Sequence, residues 1–94
     1  MKHIRLDASA WQDPADFYSS LFAELGSPEW HGRNFNALRD GLSGGINQVE
    51  APFIVDIARS QELRPEMIAF LLDVVEVFGD AREDFGVDVH IRLT

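Results

Sequence analysis

The run PFIVDIA, residues 52–58, is short and apolar, is rich in branched side chains and begins with proline. It lacks a clean alternation of apolar and polar residues, which predicts a central strand that is more buried than its neighbours. The neighbouring strands are expected in KHIRLD, residues 2–7, and in VDVHIRL, residues 87–93. Apolar and polar residues alternate in both of these runs, and this pattern predicts strands with one buried face.

Two helices are predicted, the first from its boundary signals and the second from its apolar residues. Asp13 and Pro14 are typical of a helix start, and Gly26 is typical of a helix end in the left-handed conformation. The run RPEMIAFLLDVVEVFG, residues 64–79, has apolar residues around most of the helical cylinder, which predicts a largely buried helix. Residues 45–51, before the central strand, are predicted to form a loop.

A shorter helix is predicted to begin at Asn34 and to end in the glycine-rich run GLSGG, residues 41–45. Helical spacing assigns three apolar residues to its buried face: Phe35, Leu38 and Leu42. The same spacing assigns four polar residues to the opposite face: Asn36, Arg39, Asp40 and Ser43. So polar a face is typical of a docking surface rather than of an active site.

The order of the predicted elements indicates the fold. Strands separated by helices predict a parallel sheet, and right-handed crossovers put the helices on one face of that sheet. The predicted class is therefore α/β, with a two-layer, three-stranded parallel sheet packed with helices on one face. A chain of 94 residues fits one domain, residues 1–94.

The charge of the chain limits its partners. The formal net charge is −8, and residues 65–94 contain seven acidic and only two basic residues. Phosphate contacts need a basic surface, so we expect no direct binding of nucleic acid. An acidic surface suits a basic protein partner, although acidity that only keeps a protein soluble is the simpler interpretation.

Several classes of protein are not favoured by the composition. The chain has no cysteine, its N-terminus does not resemble a signal peptide, and its apolar runs are shorter than the roughly 20 residues that cross a bilayer. These features predict a cytoplasmic protein that is not inserted in a membrane. The three histidines, His3, His31 and His90, lack the spacing of metal ligands. We therefore expect no metal, no cofactor and no enzymatic activity.

The connector before the short helix adds two candidate contact residues, Trp30 and His31. Tryptophan and arginine are enriched at binding hot spots, so Trp30 and Arg39 in one segment favour an interface. Two alternatives stay open. Trp30 is also compatible with a position that shields the core from water, and His31 is also compatible with an ordinary position in a polar loop.

The stretch FYSSLFAELGSPEWHGRNFNALRDGLSGG, residues 17–45, resembles the barstar family of intracellular inhibitors of an extracellular ribonuclease. The shared pattern is a helix followed by Leu-Gly-Ser-Pro-Glu, an aromatic residue, Gly, Asn, Ala-Leu, Asp, Leu and Gly. The family fold, a three-stranded parallel sheet layered with helices, agrees with the fold predicted above.

The resemblance implies that the second helix and the loop before it block the active site of a ribonuclease. Asp40 matches the family's aspartate that takes the place of a substrate phosphate and meets arginines and a histidine of the enzyme. Four further positions match family contacts: Trp30, Asn34, Gly44 and Asp80. The implied partner is a basic, extracellular-type microbial ribonuclease, barnase-like or related. The implied inhibitor acts as an antitoxin and is a monomer when free.

The chain also departs from the family pattern. Asn36 stands where the family has a second helix aspartate, Arg39 stands where it has a tryptophan, and Gly45 replaces a further tryptophan. The first two changes remove a negative charge and add a positive one, which disfavours barnase itself as the partner. They leave open a non-inhibitory interaction or regulatory module that retains the fold. A small enzyme that uses Asp40 and His31 is a third and weaker alternative.

Overall fold

Within residues 1–27, 32–43 and 51–94, which this computed structural model describes, three strands form one parallel sheet. They are β1, Lys2–Asp7, β2, Phe53–Ala58, and β3, Val89–Leu93, and β2 lies between the other two. The predicted α/β fold with a three-stranded parallel sheet is confirmed, and so is the central position of β2. β3 begins two residues later than its sequence pattern predicts, at Val89.

The two faces of the sheet differ in polarity. On one face the side chains are apolar and pack into the core, and the neighbours across the three strands are Ile4, Val55 and Ile91. On the other face the corresponding neighbours are Arg5, Asp56 and Arg92. Both arginines are exposed, and Asp56 is half-buried because strands flank it on both sides.

The first helix, α1, Pro14–Leu25, has the boundaries that local chemistry predicts. Asp13 accepts a hydrogen bond from the Ala15 N–H at 3.0 Å, and Asp16 completes a capping box with it. Gly26 ends the helix at φ 69°, in the left-handed region that glycine adopts without a steric penalty. The start and the end of α1 are therefore confirmed.

The second helix, α2, is short and spans Phe35–Leu42. Asn34 is its N-cap and Ser43 its C-cap. Leu38 and Leu42 are buried in the core, as predicted. The prediction that Phe35 is buried is wrong, because its side chain is 38% exposed at the edge of the core.

The third helix, α3, Pro65–Phe85, continues six residues past Gly79, where the predicted helix ends. A glycine inside a helix costs only about 1 kcal/mol, and Ala81 beyond it is fully buried. The prediction of a largely buried helix is wrong, because Leu72 is 55% exposed and only one stripe faces the core: Met67, Leu71, Val74, Phe78 and Ala81. The opposite side of α3 meets water because α3 packs against the sheet on one side only. No helix in the described ranges is both long enough and apolar enough to span a bilayer.

Candidate protein-binding site

The N-terminal end of α2 is organised by Asn34. Its side-chain oxygen accepts a hydrogen bond from the Ala37 N–H at 2.8 Å, which satisfies one of the free donors of the first helical turn. Its carbonyl accepts from the Leu38 N–H at 2.9 Å. A Cβ at Gly32 would lie 2.9 Å from the amide nitrogen of Asn34. The absence of a side chain at Gly32 therefore gives the Asn34 amide the room that this cap requires.

The outer face of α2 carries Asn36, Asp40 and Ser43, and all three are exposed. The Ser43 hydroxyl donates to the Asp40 carbonyl at 2.6 Å, and the Ser43 N–H donates to the Arg39 carbonyl at 3.1 Å. Ser43 thus closes the last turn of the helix. Among the residues that the structure describes, the Asp40 carboxylate has no ion-pair partner. Asp40 therefore exposes its carboxylate at the outer face of α2 without an ion-pair partner from the described residues.

An aromatic contact holds the beginning of α2 against α3. The Phe35 ring stacks on the Phe70 ring with 5.7 Å between centroids and 12° between planes. Phe70 also contacts Phe17 of α1 edge-on, at 5.6 Å. Phe35 is consequently the exposed end of an aromatic cluster that joins the three helices.

A charged contact also holds α2 against α3, one turn after Phe35. Arg39 forms a salt bridge with Asp84 of α3, and its guanidinium carbon lies 5.4 Å from the centroid of the Phe85 ring. The Arg39 Nε is buried and has no acceptor within the part of the chain that the structure describes, although the side chain as a whole is 42% exposed. Arg39 therefore lies at the edge of the polar face of α2, turned toward α3.

The last turns of α3 border this surface. Asp80, Glu83 and Asp84 are exposed, as expected for a solvated helix end. Asp80 lies four residues before Asp84, so both project from the same side of α3. The sequence did not reveal that Asp84 and Phe85 bind Arg39, because nothing local distinguishes Asp84 from the other acidic residues near it.

Three candidate residues, Trp30, His31 and Gly44, lie outside the described residues, as do most of the predicted loop and Gly45. Their roles, and the pairing of His31 with Asp40 that an enzyme would require, stay predictions. In the remaining residues no pocket is present, and no group of histidine and acidic side chains is arranged to bind a metal.

A second charged cluster lies on the open face of the sheet, away from the core. The Arg92 Nε donates to Asp56 at 2.7 Å, and this hydrogen bond lowers the pKa of Asp56 below its usual value. The same bond raises the pKa of Arg92. His3 is a further neighbour, with Nδ1 3.8 Å from Asp56. The cluster joins all three strands and contains no residue of α2.

The fold and the surface together define a small α/β protein with a three-stranded parallel sheet that displays a short polar helix, α2, on its exterior. The family model described as Barstar (barnase inhibitor) matches residues 1–94. The chain therefore belongs to the barstar family, which is a family of inhibitors and not of enzymes. The resemblance carried by residues 17–45 is thus confirmed, and a ribonuclease similar to barnase is the class of partner that the family implies.

Proposed function

We propose that the protein inhibits a small, basic microbial ribonuclease by covering the enzyme's active site with α2 and the connector before it. In this proposal Asp40 occupies the position of a substrate phosphate. The other candidate contacts with the enzyme are Trp30, His31, Asn34, Asn36, Arg39, Ser43, Gly44 and Asp80. The inhibitor acts as a monomeric antitoxin in the cytoplasm and protects the cell from the enzyme.

The observation that carries this proposal is the position of Asp40 on α2. Asp40 lies in the last turn of the helix, where the helix dipole is negative and an acidic side chain is unfavourable by about 0.3–1 kcal/mol. No described residue forms an ion pair with its carboxylate, and the chain already has a net charge of −8. A carboxylate that opposes the stability of its own helix is explained by a cationic partner.

The chemistry of a ribonuclease site fits such a group. An enzyme that cleaves RNA binds phosphate with arginine, lysine and histidine side chains. A carboxylate on a helix can replace the phosphate and pair bidentately with an arginine. α2 is held against α3 at Phe35 and at Arg39, so little freedom of the backbone is lost when the carboxylate binds.

A second function is favoured by Asn36 and Arg39, which alter the charge of this surface relative to the family pattern. We consider as the alternative a non-inhibitory interaction or regulatory module that binds another protein through the same helix. A partner with an acidic group opposite Arg39 would suit this alternative better than a uniformly cationic active site does.

The test is calorimetric titration against a panel of small microbial ribonucleases, together with assays of RNA cleavage. Wild type is compared with Asp40→Asn and with Glu24→Gln, a matched control that removes an exposed charge from α1. We expect one-to-one binding that Asp40→Asn weakens by about 2–5 kcal/mol, a range for buried interface charges that includes measurements on the barnase–barstar interface itself. Glu24→Gln should bind nearly as wild type does.

The stability of the free variants separates a lost contact from a damaged fold. Asp40→Asn should unfold at the same urea concentration as wild type or a slightly higher one, because an unfavourable charge is removed from the end of α2. Tight binding that is unaffected by Asp40→Asn would contradict the assigned role of Asp40. The absence of binding across the whole panel would favour the interaction module.

A further inference from the structure

The two contacts that hold α2 are far apart on α3. Phe70 and Asp84 are separated by 14 residues of α3, or about 21 Å along the helix axis. α2 itself has eight residues and is about 12 Å long. On α2 itself the two contacts are four residues apart: stacked rings hold its first residue, Phe35, and the charge of Arg39 holds its C-terminal half.

Three features of the structure determine how the Arg39 side chain lies against α3. Asp84 supplies the opposite charge, Phe85 supplies a ring face for the guanidinium, and the Nε of Arg39 is buried without a described acceptor. Burial of a donor without an acceptor is unfavourable. Arg39 therefore stays against α3 only while the salt bridge and the ring contact compensate for that burial.

The C-terminal turn of α2 includes the same residue. Arg39 directly precedes Asp40, and the Arg39 carbonyl accepts the Ser43 N–H that closes the helix. Release of Arg39 from α3 would leave this turn with Leu42 as its nearest core contact. The segment affected is the one that carries the carboxylate.

We infer that Asp84 and Phe85 are positioning residues for the binding surface, because they hold Arg39 and thereby fix the turn of α2 that presents Asp40. This inference rests on the proposed function only in treating α2 as the binding surface. The restraint itself belongs to the free protein and is measured without a partner.

The test is amide hydrogen exchange followed by NMR on the free protein at neutral pH. We expect Asp84→Asn to speed exchange at the Ser43 amide about two- to fivefold, the range that corresponds to an exposed ion pair. The Ala23 amide, in the last turn of α1, should show the wild-type rate, because local opening of α1 does not break the contact of Arg39 with α3. Glu83→Gln is the control, because it removes a neighbouring exposed charge from the same turn of α3.

A double-mutant cycle assigns the effect to Arg39. Arg39→Gln should speed exchange at Ser43 at least as much as Asp84→Asn does, because it also removes the contact with Phe85. Addition of Asp84→Asn to Arg39→Gln should have no further effect. Phe85→Ala should also accelerate the Ser43 amide by about two- to fivefold, the range that corresponds to an exposed cation–π contact.

The inference is overturned if Asp84→Asn leaves the Ser43 amide unchanged, or if Glu83→Gln accelerates it equally. It is also overturned if the Ala23 amide accelerates by the same factor, because the effect is then not confined to α2. These results do not depend on the ribonuclease titration. Failure of the titration alone would reject the proposed function and leave the restraint of α2 established.

Discussion

Asn34 caps α2 and is also a candidate contact with the partner, and two substitutions separate these roles. Asn34→Ala removes both the oxygen that accepts from the Ala37 N–H and the amide that a partner could bind. Asn34→Asp keeps an oxygen for the cap, replaces the NH₂ donor with a second oxygen and adds a negative charge. We expect Asn34→Ala to lower the free energy of unfolding by about 1 kcal/mol and Asn34→Asp to change it by only a few tenths.

The expected size of this loss follows from the burial of α2. Eight residues are too few for a helix that is stable by itself in water. Leu38 and Leu42, which are 1% and 2% exposed, each contribute about 1.5–3 kcal/mol by burial. Loss of a cap worth about 1 kcal/mol is smaller than the contribution of these two side chains, so α2 stays docked in the variant. The loss therefore appears in global unfolding.

The assay is urea and thermal unfolding followed by circular dichroism, with binding measured on the same samples. In a chain of 94 residues, 1 kcal/mol corresponds to a decrease in Tm of about 4–8 °C. Equal losses of stability in Asn34→Ala and Asn34→Asp would refute the capping argument. Weaker binding by Asn34→Asp at unchanged stability would identify the amide as a contact with the partner.

Two further perturbations examine the sheet and the core. The pKa of Asp56 is lower in the folded protein than its usual 3.8, chiefly through Arg92, so its stabilising effect is present above about pH 4 and is lost as the pH falls further. The difference in free energy of unfolding between wild type and Asp56→Asn should therefore shrink below that pH, and a constant difference from about pH 6 to pH 2 would contradict the assignment. Phe78 is fully buried, so Phe78→Ala should destabilise the protein by about 3–5 kcal/mol in urea titrations. Leu72→Ala, at a mostly exposed position of the same helix, should change stability by less than about 0.5 kcal/mol, and equal losses in the two variants would show that the core is assigned wrongly.

Elements with strong local signals could be predicted from the sequence. Asp13 and Gly26 set the ends of α1 through their own side-chain and backbone chemistry, so no distant contact is needed to find them. The end of α3 could not be predicted in the same way. Gly79 is a poor helix residue, but the burial of Ala81 two residues later outweighs its cost.

The candidate site could also be predicted only where local signals decide it. The polar face of α2 follows from helical spacing, and the exposure of Asn36, Asp40 and Ser43 agrees with it. The attachment of Arg39 to Asp84 depends on how α2 lies against α3. These two residues are 45 positions apart, and the sequence places several acidic residues close to Asp84.

The described candidate residues of α2 differ in how much the helix depends on them. Asn34 caps its first turn, Ser43 closes its last turn and Arg39 attaches it to α3. Asn36 and Asp40 are exposed, and their side chains do none of this. Substitutions at these two positions therefore change the charge offered to a partner at little cost in stability, whereas substitutions at the other three also loosen the helix.

Asn36 is one of the positions at which this chain departs from the barstar pattern, so a change of partner specificity there is compatible with an unchanged fold. Asn36→Asp restores the aspartate of the family pattern and separates the ribonuclease inhibitor from the interaction module. The variant should keep nearly the wild-type stability and bind a cationic ribonuclease site more strongly. It should not bind more strongly to a partner that presents a carboxylate to α2.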